Sequence, residues 1–217
     1  MGLIFGSAVQ RNQKYKPYQD RSRLYTYQIP WIKAANKGQI FVIADGLGSI
    51  EGSEIAADIA IRGCANYFNT KKTIKQILQE THREIVLKNS RIGTTIAGVI
   101  IEPDFNTKAF NMGDSRILQC KGREIIYRSE KQIMNGRLSS CLGAQEEFSG
   151  VYQEDFSFEL GDQIAIYSDG ALDDAVEEAL KIFKGDPTAA AQEAVKQSRL
   201  LRSMDDITVI VLEREED

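Results

Sequence analysis

The chain has 217 residues, a net charge of −4, 42% hydrophobic and 27% charged residues. That composition suits one soluble core of ordinary size and offers no bulk basic field to make nucleic acid the main partner. No apolar run approaches the about 20 residues of a membrane span, which argues against a membrane partner.

The opening, MGLIFGSAVQ, has no basic n-region and too short an apolar run for a signal peptide. It begins Met-Gly, but Gly6 stands where an acylation signal needs Ser or Thr. Residues 22–29 and 39–44 read as strands. Residues 51–68 read as a helix with Glu51 and Glu54 in its first turn, where the helix dipole favours anions, and with Ile55, Ile59 and Cys64 near one face. Residues 72–89 read as a second helix, carrying Ile74, Ile77, Leu78, Thr81 and Ile85 at helical spacing. Short β-branched runs follow at 93–101, 107–112, 115–120 and 124–128, then at 151–158 and 163–168. Helices are expected at about 172–183 and 187–199, the second announced by Asp186-Pro187, and the chain closes on a strand at 207–212. Helices in two pairs and strands in blocks argue for antiparallel sheets with helices packed outside. No repeat or linker marks a boundary, so residues 1–217 read as one domain. Cys64, Cys120 and Cys141 form no CxxC pair and read as free, core or near-core thiols of a cytoplasmic protein.

One pattern recurs three times. The run Ile40-Phe41-Val42-Ile43-Ala44 ends in Asp45-Gly46, and Ile164-Ala165-Ile166-Tyr167 leads through Ser168 into Asp169-Gly170. In reverse, Asp205-Asp206 precedes Ile207-Thr208-Val209-Ile210-Val211-Leu212. Taken alone, Asp-Gly is a common turn. If the third strand runs antiparallel to the other two, however, all three carboxylates fall at one edge of a sheet. Crowded carboxylates either hold protons, with raised pKa values, or share a divalent cation. Oxygen ligands suit Mg²⁺ or Mn²⁺, whereas a single His and scattered Cys make zinc a poor alternative.

Several stretches, in order, resemble the metal-dependent protein phosphatases of the PP2C type. FVIADGLGSIEGSEIAA is similar to the family's DGMGG-type motif and its following helix; GTTIAGVI and AFNMGDSRILQC resemble its GTT strand and GDSR motif. RLSSCLGA, LGDQIAIYSDGALDD and MDDITVIVLE resemble later motifs, and the resemblance covers nearly the whole chain. It implies a four-layer αββα sandwich, two antiparallel sheets flanked by helices, with the site at one end, and a compact bacterial-type member. The implied activity is hydrolysis of phosphoserine and phosphothreonine with two Mn²⁺ or Mg²⁺ ions. On matching positions, Asp45 would bridge the ions, the Gly46 carbonyl would bind one, and Asp169 and Asp205 would complete the other. Asp20 would hold a metal-bound water, and Asp114 with Asp169 would form a weaker third position. The implied partners are a phosphorylated protein and a cognate Ser/Thr kinase.

The sequence departs from the family at four places. Tyr15 occupies the position of the phosphate-gripping Arg, which Lys14, Lys16 or Arg11 could replace, although loop cations are as readily solvated. Gln19 replaces a Glu, and Leu47 occupies a position where some members have His. The flap is reduced to about ten residues, RSEKQIMNGR, which predicts an open site. His82 is expected in a surface or packing role. Two alternatives stay open: a weak or inactive phosphoprotein-binding regulatory domain, and a phosphatase for a small phosphorylated metabolite.

Overall fold

The computed structural model describes residues 2–12, 19–25 and 37–215. The strands of the first sheet are β1 (Gly2–Gln10), β7 (Arg116–Lys121), β8 (Glu124–Arg128), β13 (Asp162–Tyr167) and β14 (Ile207–Glu215). They lie in the order β1-β14-β13-β7-β8, and every neighbouring pair is antiparallel. The second sheet contains β2 (Asp20–Tyr25), β3 (Gln39–Asp45), β5 (Ile96–Ile101), β6 (Asn106–Met112) and β12 (Tyr152–Ser157). Its order is β12-β6-β5-β3-β2, again antiparallel throughout. Short pairs join β4 (Gly93–Thr94) to β11 (Leu142–Gly143) and β9 (Ile133–Met134) to β10 (Arg137–Leu138).

The strands are apolar on both faces because each sheet is covered on both. In β3, Phe41 and Ile43 meet Ile166, Ile210 and Leu212 of the first sheet in the inter-sheet core. Ile40, Val42 and Ala44 point the other way, against α1 (Ser53–Cys64) and α3 (Ile74–Lys88). A short helix, α2 (Asn66–Asn69), links the two. On the far side of the first sheet, Ala165, Tyr167, Val209 and Val211 pack beneath α4 (Asp173–Ile182) and α5 (Pro187–Leu200). Alternating side chains thus build three cores and the four αββα layers expected from the resemblance.

Local signals set the helix starts. Thr73 and Gln76 form a reciprocal capping box at α3, and Asp186 accepts from the Ala189 amide (2.9 Å) with Pro187 in the first turn of α5. Three expectations are corrected. The first helix begins at Ser53 and breaks after Cys64, so Glu54 but not Glu51 lies in its first turn. Ile55 faces solvent, its intended place on the core face being filled by Ala56, Ala57, Ala60 and Ile61. The opening residues, read only against targeting signals, form β1, paired along its length with β14. Gly6 lies in that strand because α5 crosses it, and any Cβ there would collide with Thr188.

The three cysteines are buried and free. Burial pushes the Cys64 thiol up to about 12 and the Cys141 thiol to about 11, which keeps both unreactive. His82 is buried, not at the surface: its Nδ1 accepts from the Gly143 amide (3.1 Å) and its ring meets Phe148 edge-on. Burial lowers its pKa, so it packs as a neutral ring. Among the described residues, no helix is long and apolar enough to cross a membrane.

Candidate functional site

Asp45 ends β3 with its backbone held on both sides. The Thr94 hydroxyl (2.9 Å) and the Thr95 amide (2.8 Å) donate to its carbonyl, while its own amide donates to Thr95 Oγ1 (3.2 Å). Thr95 Oγ1 lies 2.7 Å from Ser115 Oγ, so the GTT stretch ties Asp45 to the turn that carries Asp114. Gly46 donates to the Gln19 carbonyl (3.2 Å) and bridges to Thr94. A Cβ at Gly46 would lie 2.8 Å from the Ser53 carbonyl group, so a side chain there would push away the start of α1.

Asp20 opens β2 and faces Asp45 in register. It is 1% exposed, and its Oδ2 accepts from Ser168 Oγ (2.8 Å) and Thr208 Oγ1 (2.6 Å) of the opposite sheet. One carboxylate oxygen thus fastens the two sheets together. The other, Oδ1, is buried without a hydrogen-bond partner. A buried carboxylate oxygen left without a donor is costly unless something positive reaches it.

Asp169 follows Ser168 at the end of β13. A Cβ at the next residue, Gly170, would collide with the Asp206 carbonyl, so glycine lets the two strand ends touch. That contact sets Asp169 beside Asp205, whose Oδ1 accepts from the Asp206 amide (2.8 Å). Asp114 lies in the turn between β6 and β7.

The electrostatics join all five into one cluster. Asp45 is held well above the usual carboxylate range, by burial first and then by the charges of Asp20 and Asp169. Asp20 is pushed up to about 6 by burial, against the opposing hydrogen bonds from Thr208 and Ser168. Asp169 is also raised to about 6, by desolvation and by the charges of Asp114 and Asp205. Asp114 is raised by desolvation, with Asp205 adding to it and Lys131 opposing. Among the described residues, no three His, Cys, Asp or Glu side chains enclose a point as a preformed cage. The carboxylates face one another pairwise, and the donor set is all oxygen, which fits hard divalent cations completed by water.

The one-edge expectation is corrected in a specific way. Asp169 and Asp205 do come from antiparallel neighbours, β13 and β14, but Asp45 belongs to the other sheet. The carboxylates converge at one end of the sandwich because both sheets end there. Lys14, Lys16 and Tyr15 lie outside the described residues. Arg11 follows β1, and its carbonyl accepts from Arg199 (3.5 Å). Gln19 is buried as a structural staple: its amide donates to Asp206 Oδ2 (2.9 Å) and its carbonyl accepts from Gly46. Leu47, beside Gly46, donates its amide to the Gly93 carbonyl (3.0 Å).

Sequence reasoning missed the residues that hold the carboxylates. Ser168 and Thr208 grip Asp20, Thr94 and Thr95 grip Asp45 with Ser115 behind Thr95, and Asp206 takes the amides of Asn12 (2.7 Å) and Gln19. Their small hydroxyls sit inside the family-like motifs, and that position was the available signal. The reduced flap also has more structure than expected. Its ten residues carry all but the last residue of the β9–β10 hairpin, turned by Asn135 and Gly136 at positive φ.

A two-sheet αββα sandwich with acidic residues gathered at one end defines the class, and comparison with known proteins agrees. The family model described as protein phosphatase 2C matches residues 10–204. The chain belongs to the protein phosphatase 2C family. It is 25% identical over 170 residues to the protein phosphatase PTC7 homolog fig of Drosophila willistoni, covering 68% of this chain. The match spans about half of that relative, 53% of its length. Two solved structures share the fold. The S. agalactiae serine/threonine phosphatase has a TM-score of 0.81 at 18% identity, covering 99% of this chain and 100% of its own. The catalytic domain of the serine/threonine phosphatase PstP, in complex with two manganese ions, has a TM-score of 0.74 at 17% identity, with 99% of each chain covered.

Proposed function

We propose that this chain is a metal-dependent phosphoprotein phosphatase that hydrolyses phosphoserine and phosphothreonine with water. The observation that supports this most is the Asp20 carboxylate, one oxygen fastened across the sheets and the other buried without a partner, facing Asp45, whose pKa burial and the charges of Asp20 and Asp169 raise. Two Mn²⁺ or Mg²⁺ ions would be held there by Asp45, the Gly46 carbonyl, Asp169 and Asp205, and Asp114 with Asp169 would offer a third position. Bound divalent cations lower the pKa of water and offset the charge of a phosphate ester.

The rest of the chemistry belongs to the protein. Asp45 lies between Asp20 and Asp169 and is kept in place by the GTT backbone clamp. Asp20, fixed by Ser168 and Thr208, leaves its buried Oδ1 to orient a water. Those hydroxyls are committed to Asp20 and the thiols are buried and unreactive, so attack by water without a covalent enzyme intermediate is the simplest route. Leu47 carries no proton to give, so water protonates the leaving oxygen. The ordinary substrate is a phosphoprotein with a cognate kinase. We place the protein in the cytoplasm on the strength of its three free, buried thiols.

The test is hydrolysis of a phosphothreonine peptide with EDTA, Mg²⁺ or Mn²⁺, beside Asp45→Asn and Asp169→Asn. Metal-dependent turnover lost in both variants is expected; no turnover with any metal in the folded protein sinks the proposal. The rival reading, a phosphoprotein-binding module without turnover, rests on Tyr15 and Gln19 in place of the family's Arg and Glu and on the reduced flap. Calorimetric Mn²⁺ titration separates the two, since an enzyme of this kind must bind the ion.

A further inference from the structure

The position of the family's phosphate-gripping arginine holds Tyr15, so the site needs another cation for its substrate. The described arginines around the cluster are engaged elsewhere. Arg21 pairs with Asp58 (2.7 Å) and donates to the Asp20 carbonyl; Arg116 pairs with Asp173 (3.4 Å). Arg199 donates to the Ser203, Asp205 and Arg11 carbonyls.

Lys131 is placed differently. It lies between β8 and β9 and lines a cleft of about 340 Å³ together with Asp169, Ala171, Leu172, Asp173, Asp174 and Leu201. Its charge acts on Asp114, at the same end of the sandwich. Of the three acidic residues in that cleft, Asp173 is already neutralised by Arg116 and accepts from Tyr167 (3.0 Å), Asp169 belongs to the cation site, and Asp174 is exposed to solvent. Among the described residues, Lys131 has no ion-pair partner within 4.0 Å.

The backbone next to Lys131 is clamped. The Gln132 amide donates to the Gly113 carbonyl (2.9 Å), and the Gly113 amide returns a bond to Gln132 Oε1 (3.1 Å). Gln132 Nε2 donates to the Asn111 carbonyl (3.2 Å), and the Ser139 amide donates to the Gln132 carbonyl (2.9 Å). Four bonds through one residue fix the base of the β9–β10 hairpin to the turn that carries Asp114. A lysine on a free loop would lose its rotamer and backbone freedom on meeting an anion; this one has lost the backbone part already.

We propose that Lys131 binds the phosphoryl group of the substrate, in the cleft it shares with Asp169, and that Gln132 is the positioning residue that holds it there. The inference rests on the phosphatase reading and adds the group that recognises the substrate's anion. The shortened flap then delivers a cation to the edge of the metal site instead of covering it.

The probe is inorganic phosphate. It is titrated calorimetrically into the Mn²⁺-loaded protein and used as a competitive inhibitor of phosphothreonine-peptide hydrolysis, in wild type, Lys131→Met, Lys131→Arg, Gln132→Ala, Lys14→Met and Lys16→Met. Lys131→Met is expected to weaken phosphate binding roughly tenfold, since one hydrogen bond to a charged partner is lost. KM should rise by a similar factor, kcat should change less, and Mn²⁺ affinity should not fall. Lys131→Arg should recover most of the loss, and Gln132→Ala should show a smaller change in the same direction. Phosphate affinity within twofold of wild type in Lys131→Met overturns the inference, as does a loss confined to Lys14→Met or Lys16→Met. Phosphate binding that depends on Lys131 without any turnover would keep this inference and remove the phosphatase reading.

Discussion

The two ends of the sandwich carry buried carboxylates in opposite circumstances. At the far end, Asp162 Oδ2 accepts from Gln119 Nε2 (2.9 Å) and the Glu159 amide (3.0 Å). Close by, Glu213 Oε2 accepts from Gln163 Nε2 (3.2 Å) and the Gly185 amide (2.8 Å). Each of those acids takes two neutral amide donors on one oxygen, although Asp162 Oδ1, like Asp20 Oδ1, is buried without a partner. At the near end Asp20 takes two hydroxyl donors, but Asp45, Asp114 and Asp169 are each raised partly by the negative charge of another acid of the cluster. A carboxylate held by donors is part of the architecture. Carboxylates turned on one another are stable as a set only with protons or cations added.

Substitutions can break that contrast. Asp45→Asn should cut metal-dependent turnover by about a thousandfold or more, because the proposed cation site would lose its central ligand. The same change should leave the metal-free protein at least as stable, because it removes an acid held well above the usual carboxylate range; thermal unfolding in EDTA checks this. Gly170→Ala should destabilise by about 2–4 kcal/mol in a denaturant titration, since its methyl group would strike the Asp206 backbone. Asp162→Ala should do the reverse of Asp45→Asn: stability falls by about 1–3 kcal/mol as Gln119 and the Glu159 amide lose their acceptor, while turnover per folded molecule is kept. If Asp162→Ala abolishes turnover in a folded protein, the two ends are not functionally distinct.

The smallest effect concerns pH in the metal-free protein. Asp20 and Asp169 titrate near 6 when folded and near 4 when unfolded. The folded chain therefore holds more protons between those values, and its stability is greatest below about pH 4 with respect to these groups and falls as pH rises through 6. The midpoint in EDTA should drop by a few degrees between pH 4.5 and 7. Saturating Mn²⁺ should remove or invert that drop, and a midpoint that rises with pH in EDTA would contradict the electrostatic picture.

Much of this was legible in the chain. Apolar runs ending in Asp-Gly located Asp45 and Asp169, and Asp186-Pro187 marked the start of α5. Strand β1 was not, because Gly2, Gly6 and Ser7 weaken its strand signal; its conformation comes from pairing with β14 and from the close passage of α5. The hairpin in the reduced flap was equally hidden, since two-residue strands have no periodicity to read.

What the sequence determined by itself is the local inventory: which segments alternate, where caps and turns fall, and which carboxylates end strands. Those are properties of neighbours within a few residues, where backbone geometry links pattern to structure. Tertiary structure alone decided that Asp45 meets Asp20 and Asp169 from two different sheets. It also decided that Ser168 and Thr208 hold Asp20 across separations of 148 and 188 residues, and that Gln132 anchors Lys131 beside Asp114. Such contacts leave no local periodic trace, because they exist only after sheet pairing and core packing have closed the long intervening stretches of chain.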